Sequence, residues 1–413
     1  MHILLMTIGT GKGIEDGICF SIKDAKPDRV IFFVTKEAFE KKKDVIEERL
    51  PEIPKDWIHL PDEEKFDELA DFMCQKISSL KQQYPDSEFS IDNTFGTKAM
   101  TSALVVSAYY HDIDKISYVG GVKRDEQGKV ISGTETIIRG RMNLLRIRDV
   151  LKDALKLFNE CMYIPAKHLI EKHENLIGSG LDLSNKLKVL KMFTEMQIYR
   201  EAFSFQKAGD VLKKIAEEYP EDGASFTDID IEHFKNNCRK LYNTFYEVER
   251  DPVHPKRLGE LILSARRSAN IGRFDDAVAR LYRAVEFIGQ VTLYKKGLYN
   301  PKDDKFSLDE SIEEKIPQEL KEAIKNKKPL GVRGLYTYLY YLGYPQAINV
   351  CDPEKDLYNE KLNLRNKSIL AHGFKPLSKE DFEEFYEFVL KLASDFSLDT
   401  KPVICDLELR LPF

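Results

Sequence analysis

No apolar run in this 413-residue chain reaches the roughly 18 residues a membrane helix needs, and the short stretch Met1 to Met6 leads straight into glycines. Neither a membrane span nor a cleaved secretory leader is expected. Cysteine is sparse: the six residues at 19, 74, 161, 238, 351 and 405 never form a C-x-x-C pair. That spacing suits neither a zinc site nor a disulfide framework, so a reduced, cytoplasmic setting is expected. Excess positive charge is also lacking. With a net charge of −6 and a pI near 5.9, stable DNA binding by bulk attraction is not expected, and any basic site must be local. Two nucleotide fingerprints are missing as well. There is no G-x4-G-K-[ST], and Gly9-Thr-Gly-Lys-Gly13 lacks the G-x-G-x-x-G spacing. The second apolar run ends in Thr35-Lys36, with no acid for a ribose hydroxyl.

What remains is a soluble globular chain, 42% hydrophobic and 32% charged, long enough for two or three domains. Residues 1–145 alternate buried strands with helices. Ile3 to Ile8, Val30 to Val34, a short strand near Ile58, Phe89 to Asp92 and Ile116 to Val119 read as strands. Helices are expected over about 14–26, 36–49, 63–83 and 98–110. A turn at Asp125-Glu-Gln-Gly128 predicts a hairpin. This order predicts an α/β, mainly parallel sheet of Rossmann type. Such sheets bind ligands beyond the carboxyl ends of their strands, where the turns 7–13, 92–98 and 120–124 fall. Hydroxyls, Lys98 and helix-start N–H groups there suit phosphates.

Residues 146–255 are helical in pattern, with breaks at Pro220 to Gly223 and Asp251 to Pro255. His168, His173, His233 and His254 show no metal-like grouping. Beyond the prolines a long helix is expected to begin at Ala269. Its buried stripe would be Phe274, Ala277, Val278, Leu281, Val285, Ile288 and Val291. Further helical runs fall at about 309–327, 332–342, 358–372 and from Ser378 to Ser394. Within the run 358–372, Arg365, Asn366 and His372 stand out. If the helix is continuous, Arg365 and His372 lie within about 20° of one face. A guanidinium that forks onto phosphate and an imidazole that titrates near neutrality suit work on a phosphodiester. Taken alone, the pair reads more readily as a helix cap and a solvated charge.

Thr94-Phe-Gly96-Thr97-Lys98-Ala-Met100 is similar to the T-G-G-T-K-x-M turn of CARF domains from type III CRISPR systems, with Phe95 in place of a glycine. Thr7-Ile-Gly9-Thr10-Gly11 and Tyr118-Val-Gly120-Gly121 fit the same pattern. Arg365-Asn366-x5-His372 resembles the R-x4-6-H signature of HEPN ribonucleases, and 269–288 resembles their first helix in that CRISPR family. The two motif sets occur in the order CARF–HEPN proteins show. The resemblance implies a CARF domain (1–145), a helical connector (146–255), an all-α HEPN domain (256–398) and a tail (399–413). It implies cyclic oligoadenylate, the tetra-adenylate ring ahead of the hexa-adenylate one, bound by Thr7, Gly9, Thr10, Gly11, Lys12, Asn93, Thr94, Gly96, Thr97, Lys98, Gly120 and Gly121. It further implies a homodimer that cleaves single-stranded RNA without cofactor or metal, through Arg365, Asn366 and His372, leaving a 2′,3′-cyclic phosphate. It leaves room for slow ring cleavage by the CARF domain. Two rivals stand beside it. One is a metal-dependent nuclease using Glu313-Glu-Lys315, although that chemistry wants its acids on strands. The other is a non-enzymatic ligand sensor.

Overall fold

The computed structural model describes residues 1–413 apart from 62–64, 124–125, 127–129, 132, 175–181, 219–230, 353–363, 367, 371–372 and 403–413. The chain forms two compact units, Met1–Arg146 and Ile147–Phe413.

The first unit runs β1 His2–Ile8, α1 Ile14–Ala25, β2 Arg29–Val34, α2 Lys36–Arg49, β3 Lys55–His59, α3 Phe66–Gln83, β4 Glu88–Asp92, α4 Lys98–Tyr110, β5 Lys115–Gly121 and β6 Glu135–Arg141. Its sheet has the order β3-β2-β1-β4-β5-β6, parallel up to β5, with β6 antiparallel to β5. The expected α/β sheet is present and β5 and β6 pair antiparallel, while the turn expected at 125–128 lies, but for Glu126, outside the described residues. Strand side chains alternate between faces, so a strand covered on both sides must be apolar throughout. Ile3 and Leu5 of β1 and Ile31 and Phe33 of β2 pack on Leu69 and Met73 of α3 and Met100 and Leu104 of α4. Leu4, Met6, Phe32 and Val34 face Ile18 and Ile22 of α1 and Ala38 of α2. Strand order reverses between β1 and β4, and the crevice this leaves at their carboxyl ends is where such sheets hold ligands.

The second unit opens with α5 Asn143–Asn159, whose first turn belongs to the first unit. It continues with α6 Tyr163–Lys172, α7 Asp182–Glu201, α8 Phe205–Glu218, α9 Ile231–Arg250, α10 Lys256–Asn270 and α11 Phe274–Lys295. A two-residue hairpin, β7 Tyr299–Asn300 and β8 Lys305–Phe306, precedes α12 Gln318–Lys325, α13 Val332–Tyr341, α14 Ile348–Cys351 and α15 Lys379–Asp395. The stripe expected on α11 is buried, with Phe274 at its edge, and packs with α10, α13 and α15 in one core. A Cβ added at Gly289 would lie 2.4 Å from Leu335 Cδ2, so α11 and α13 meet almost backbone to side chain. Ser378 caps α15 in a capping box with Asp381.

The helix expected to begin at Ala269 instead begins at Phe274. Residues 271–273 are a break, with Gly272 at φ 76°, between α11 and the unforeseen helix α10. α10 escapes a periodicity reading because charged residues lie inside it. Glu260 is 1% exposed and accepts two bonds from Arg200 of α7, Nε to Oε2 at 2.7 Å and Nη2 to Oε1 at 3.0 Å. The next residue, Glu201, accepts from Ser264 Oγ at 2.6 Å and from Arg267 Nε, and pairs with Arg280 of α11 at 3.8 Å.

Removing one partner of a buried pair strands the other's charge. Arg200→Met alone should therefore lower stability by about 3–5 kcal/mol, while Arg200→Met with Glu260→Leu should recover most of the loss. Denaturant midpoints of the two variants check this.

Candidate functional site

Three turns of the first unit converge at the strand reversal. The turn after β1 and the turn after β4 touch: a Cβ on Gly9 would sit 3.2 Å from Gly96 Cα. Gly96 itself has φ +135°, and a Cβ there would lie 2.8 Å from Thr7 Oγ1. Glycine is required at 96 by both backbone angle and space. Thr7 is fully buried beneath the turn and its hydroxyl donates to the Phe95 carbonyl. Phe95, standing where the CARF pattern has glycine, packs its ring into the core beside Gly17 of α1. The turn after β4 is tied to β5 by Val119 N–H donating to Thr94 Oγ1 at 2.7 Å and Asn93 N–H donating to Ser117 O at 3.1 Å.

Thr10, Gly11, Lys12, Gly96, Thr97 and Lys98 are exposed along this edge, Gly9, Asn93, Thr94 and Gly121 are half-buried, and Gly120 is buried. The two helix starts at this edge are unlike. α1 already carries Glu15 and Asp16 in its first turn. α4 has no acid in its first turn, Thr97 accepts the Met100 N–H at 3.2 Å as its cap, and Lys98 follows. An anion drawn to a helix start meets less competition at α4. Asn93 Oδ1 is shielded from solvent and has no donor facing it.

Two supporting residues carry no local sequence signal. Lys42, in the charged run of α2, is buried and donates to Gly11 O at 2.7 Å and Glu15 Oε1 at 2.6 Å, holding the first turn from below. Asp92, at the end of β4, is fully buried, accepts from Ser21 Oγ, and takes the Thr94 N–H at 2.8 Å. Burial raises its carboxyl above the ordinary range, against the lowering by those hydrogen bonds.

In the second unit, 364–366 are helical, Ser368 is a bend and 369–370 a turn. The continuous helix expected over 358–372 is therefore interrupted, and with it goes the argument that put Arg365 and His372 on one helical face. His372 lies outside the described residues. The interruption is a local closure: Ser368 N–H and Oγ both turn back to Arg365 O, at 3.1 and 2.9 Å, and Gly373 N–H donates to Ser368 O at 3.2 Å. Leu364 packs on the helical core and Ser368 is buried, so the backbone at Arg365 is anchored on both sides. The Arg365 guanidinium sits 4.8 Å from the ring centroid of Tyr282 on α11, and its Nη1 reaches the exposed Asn366 Oδ1 at 3.5 Å. Ile369, Leu370 and Phe374 project outward, Phe374 at 91% exposure. Glu313, on which a metal-nuclease reading depends, follows a 3-10 turn and pairs with Lys321 and Lys325 instead of lying on a strand. Among the described residues no three His, Cys, Asp or Glu side chains group as metal ligands, and no helix is long and apolar enough to cross a membrane.

Residues 248–395 match the family model described as the Csm6 HEPN domain. The whole chain is similar to the solved structure of Enterococcus italicus Csm6 bound to cyclic hexa-2′-fluoro-hexa-dAMP. The TM-score is 0.61 at 18% identity, covering 98% of this chain and 96% of that one. No curated protein matches the chain.

Asp92 supplies a pH test. A carboxyl whose folded value is raised adds stability that is complete below its unfolded value near 3.8 and is lost as pH rises through the raised value. Asp92→Asn should match wild type in denaturant midpoint at pH 3.5 and exceed it once pH has risen through the raised value.

Proposed function

We propose that this protein, whose residues 248–395 match the Csm6 HEPN family model and whose fold is similar to that of a solved Csm6, is a single-strand RNA endoribonuclease of type III CRISPR defence, switched on by cyclic oligoadenylate. The observation that carries the reading is Arg365, anchored through Leu364 and Ser368 on the HEPN core with its guanidinium at the surface of that core. Arg365 stabilises charge on the phosphoryl oxygens, Asn366 orients the group, and His372 moves the proton. The RNA 2′-hydroxyl attacks its own phosphodiester, leaving a 2′,3′-cyclic phosphate and a 5′-hydroxyl. No metal takes part. The exposed Ile369, Leu370 and Phe374 beside this site are the kind of surface a second copy covers, which supports a homodimer.

Cyclic oligoadenylate binds at the meeting turns of the first unit, its phosphates at the α4 start and Lys98. The motif resemblance favours the tetra-adenylate ring, and the six-membered ligand on the Enterococcus italicus protein speaks for the hexa-adenylate one. Calorimetry with both rings decides between them, and binding of neither would overturn the sensor reading. Lys98→Ala should raise the activator concentration required, with little effect on the saturated rate.

Cleavage of a labelled single-stranded RNA tests the chemistry. The rate should persist in EDTA, fall to background in Arg365→Ala and His372→Ala, and recover poorly in Arg365→Lys, which lacks the planar fork. Strict dependence on Mg²⁺, or an undiminished rate in His372→Ala, would overturn the assignment.

A further inference from the structure

Among the described residues no carboxylate pairs with the Arg365 guanidinium. The guanidinium lies over the face of Tyr282, near the middle of α11, at 4.8 Å, and its Nη1 donates to Asn366 Oδ1 at 3.5 Å. One turn on along α11, Glu286 is engaged with Arg283 at 3.2 Å. An acid under Arg365 would occupy its N–H donors and neutralise its charge. Attraction through a ring face uses none of the five donors and leaves the charge intact. The position on α11 is firm, because the neighbouring Val278, Leu281 and Val285 are fully buried in the domain core. Burial, with Glu286 adding to it, pushes the Tyr282 phenol above its ordinary value, so the ring beneath the cation stays neutral through the working pH range.

We propose that Tyr282 is a positioning residue for RNA cleavage, an aromatic platform that fixes the Arg365 guanidinium without itself occupying the N–H donors that meet the scissile phosphate. This rests on the ribonuclease reading above. It predicts a requirement for a ring at 282 and not for a hydroxyl, expressed in turnover and not in substrate binding.

The test is steady-state RNA cleavage by the full chain, with tetra- and hexa-adenylate rings both saturating, alongside thermal melting of each variant. Tyr282→Phe and Tyr282→Trp should stay within about threefold of wild type. Tyr282→Leu and Tyr282→Met, which keep apolar volume but not the π-face, should lose about tenfold in kcat with KM within about twofold, the size expected of a partly desolvated cation–π contact. A role in packing alone would be filled by Leu or Met, so undiminished turnover in those variants would overturn the proposal. So would an equal loss in Tyr282→Phe, or a loss in both aliphatic variants that tracks a fall in melting temperature. Arg365→Ala run in parallel separates the two readings. If it cleaves at the wild-type rate the ribonuclease assignment fails. If it is inactive while Tyr282→Leu is not, only the platform fails.

Discussion

The arrangement of the helical unit depends on the burial of one ion pair, Arg200 with Glu260. Both side chains are out of water, and such a pair is tolerable only when the geometry is close to ideal. The guanidinium meets both carboxylate oxygens and has Gln197 Oε1 at 3.3 Å from a further nitrogen. α7 and α10 consequently have one register. The adjoining residue, Glu201, extends the hold to Ser264 and Arg267 one and two turns along α10 and across to Arg280 on α11. α11 in turn carries Tyr282. A charge buried in one place thus sets where a guanidinium stands in another, through rigid helices.

The two candidate sites are built from different materials. The edge of the sheet is made of backbone: two glycines in contact, a helix start free of acids, and hydroxyls turned inward to hold the turns. Such a surface presents N–H groups to an anion and asks little of side chains. The helical site is made of side chains, one of them anchored at its backbone and its head group separately. An acidic protein can carry both, because each places its cations locally.

The first unit was nearly all legible. Its strands are continuous apolar runs or end in glycine and threonine turns, and these signals are local. α10 was not legible, since Glu260 and Arg267 read as surface charges until Arg200 and Glu201, some sixty residues away, are placed against them. Lys42 was hidden for the same reason, as part of a run that looks solvated. Residues 358–372 read as a single helix because no proline interrupts them. Ser368 closes a turn onto the Arg365 carbonyl instead, the local competition with helix that serine side chains offer. Tyr282 lay on the half-buried edge of a stripe, and nothing in its neighbours announces what rests on its face.

Gly259, the residue before Glu260, is pressed from the other side. A Cβ there would come within 2.4 Å of the Lys401 carbonyl carbon. One turn of α10 is therefore gripped by the end of the chain and by α7 at consecutive residues. In descent, the spacing within α10 is constrained, since a single insertion in that helix turns Glu260 by about 100° relative to the rest of it and carries it away from Arg200. Lineages of this protein should then vary in length at the hairpin tip between Asn300 and Lys305, while the count of residues through α10 stays constant.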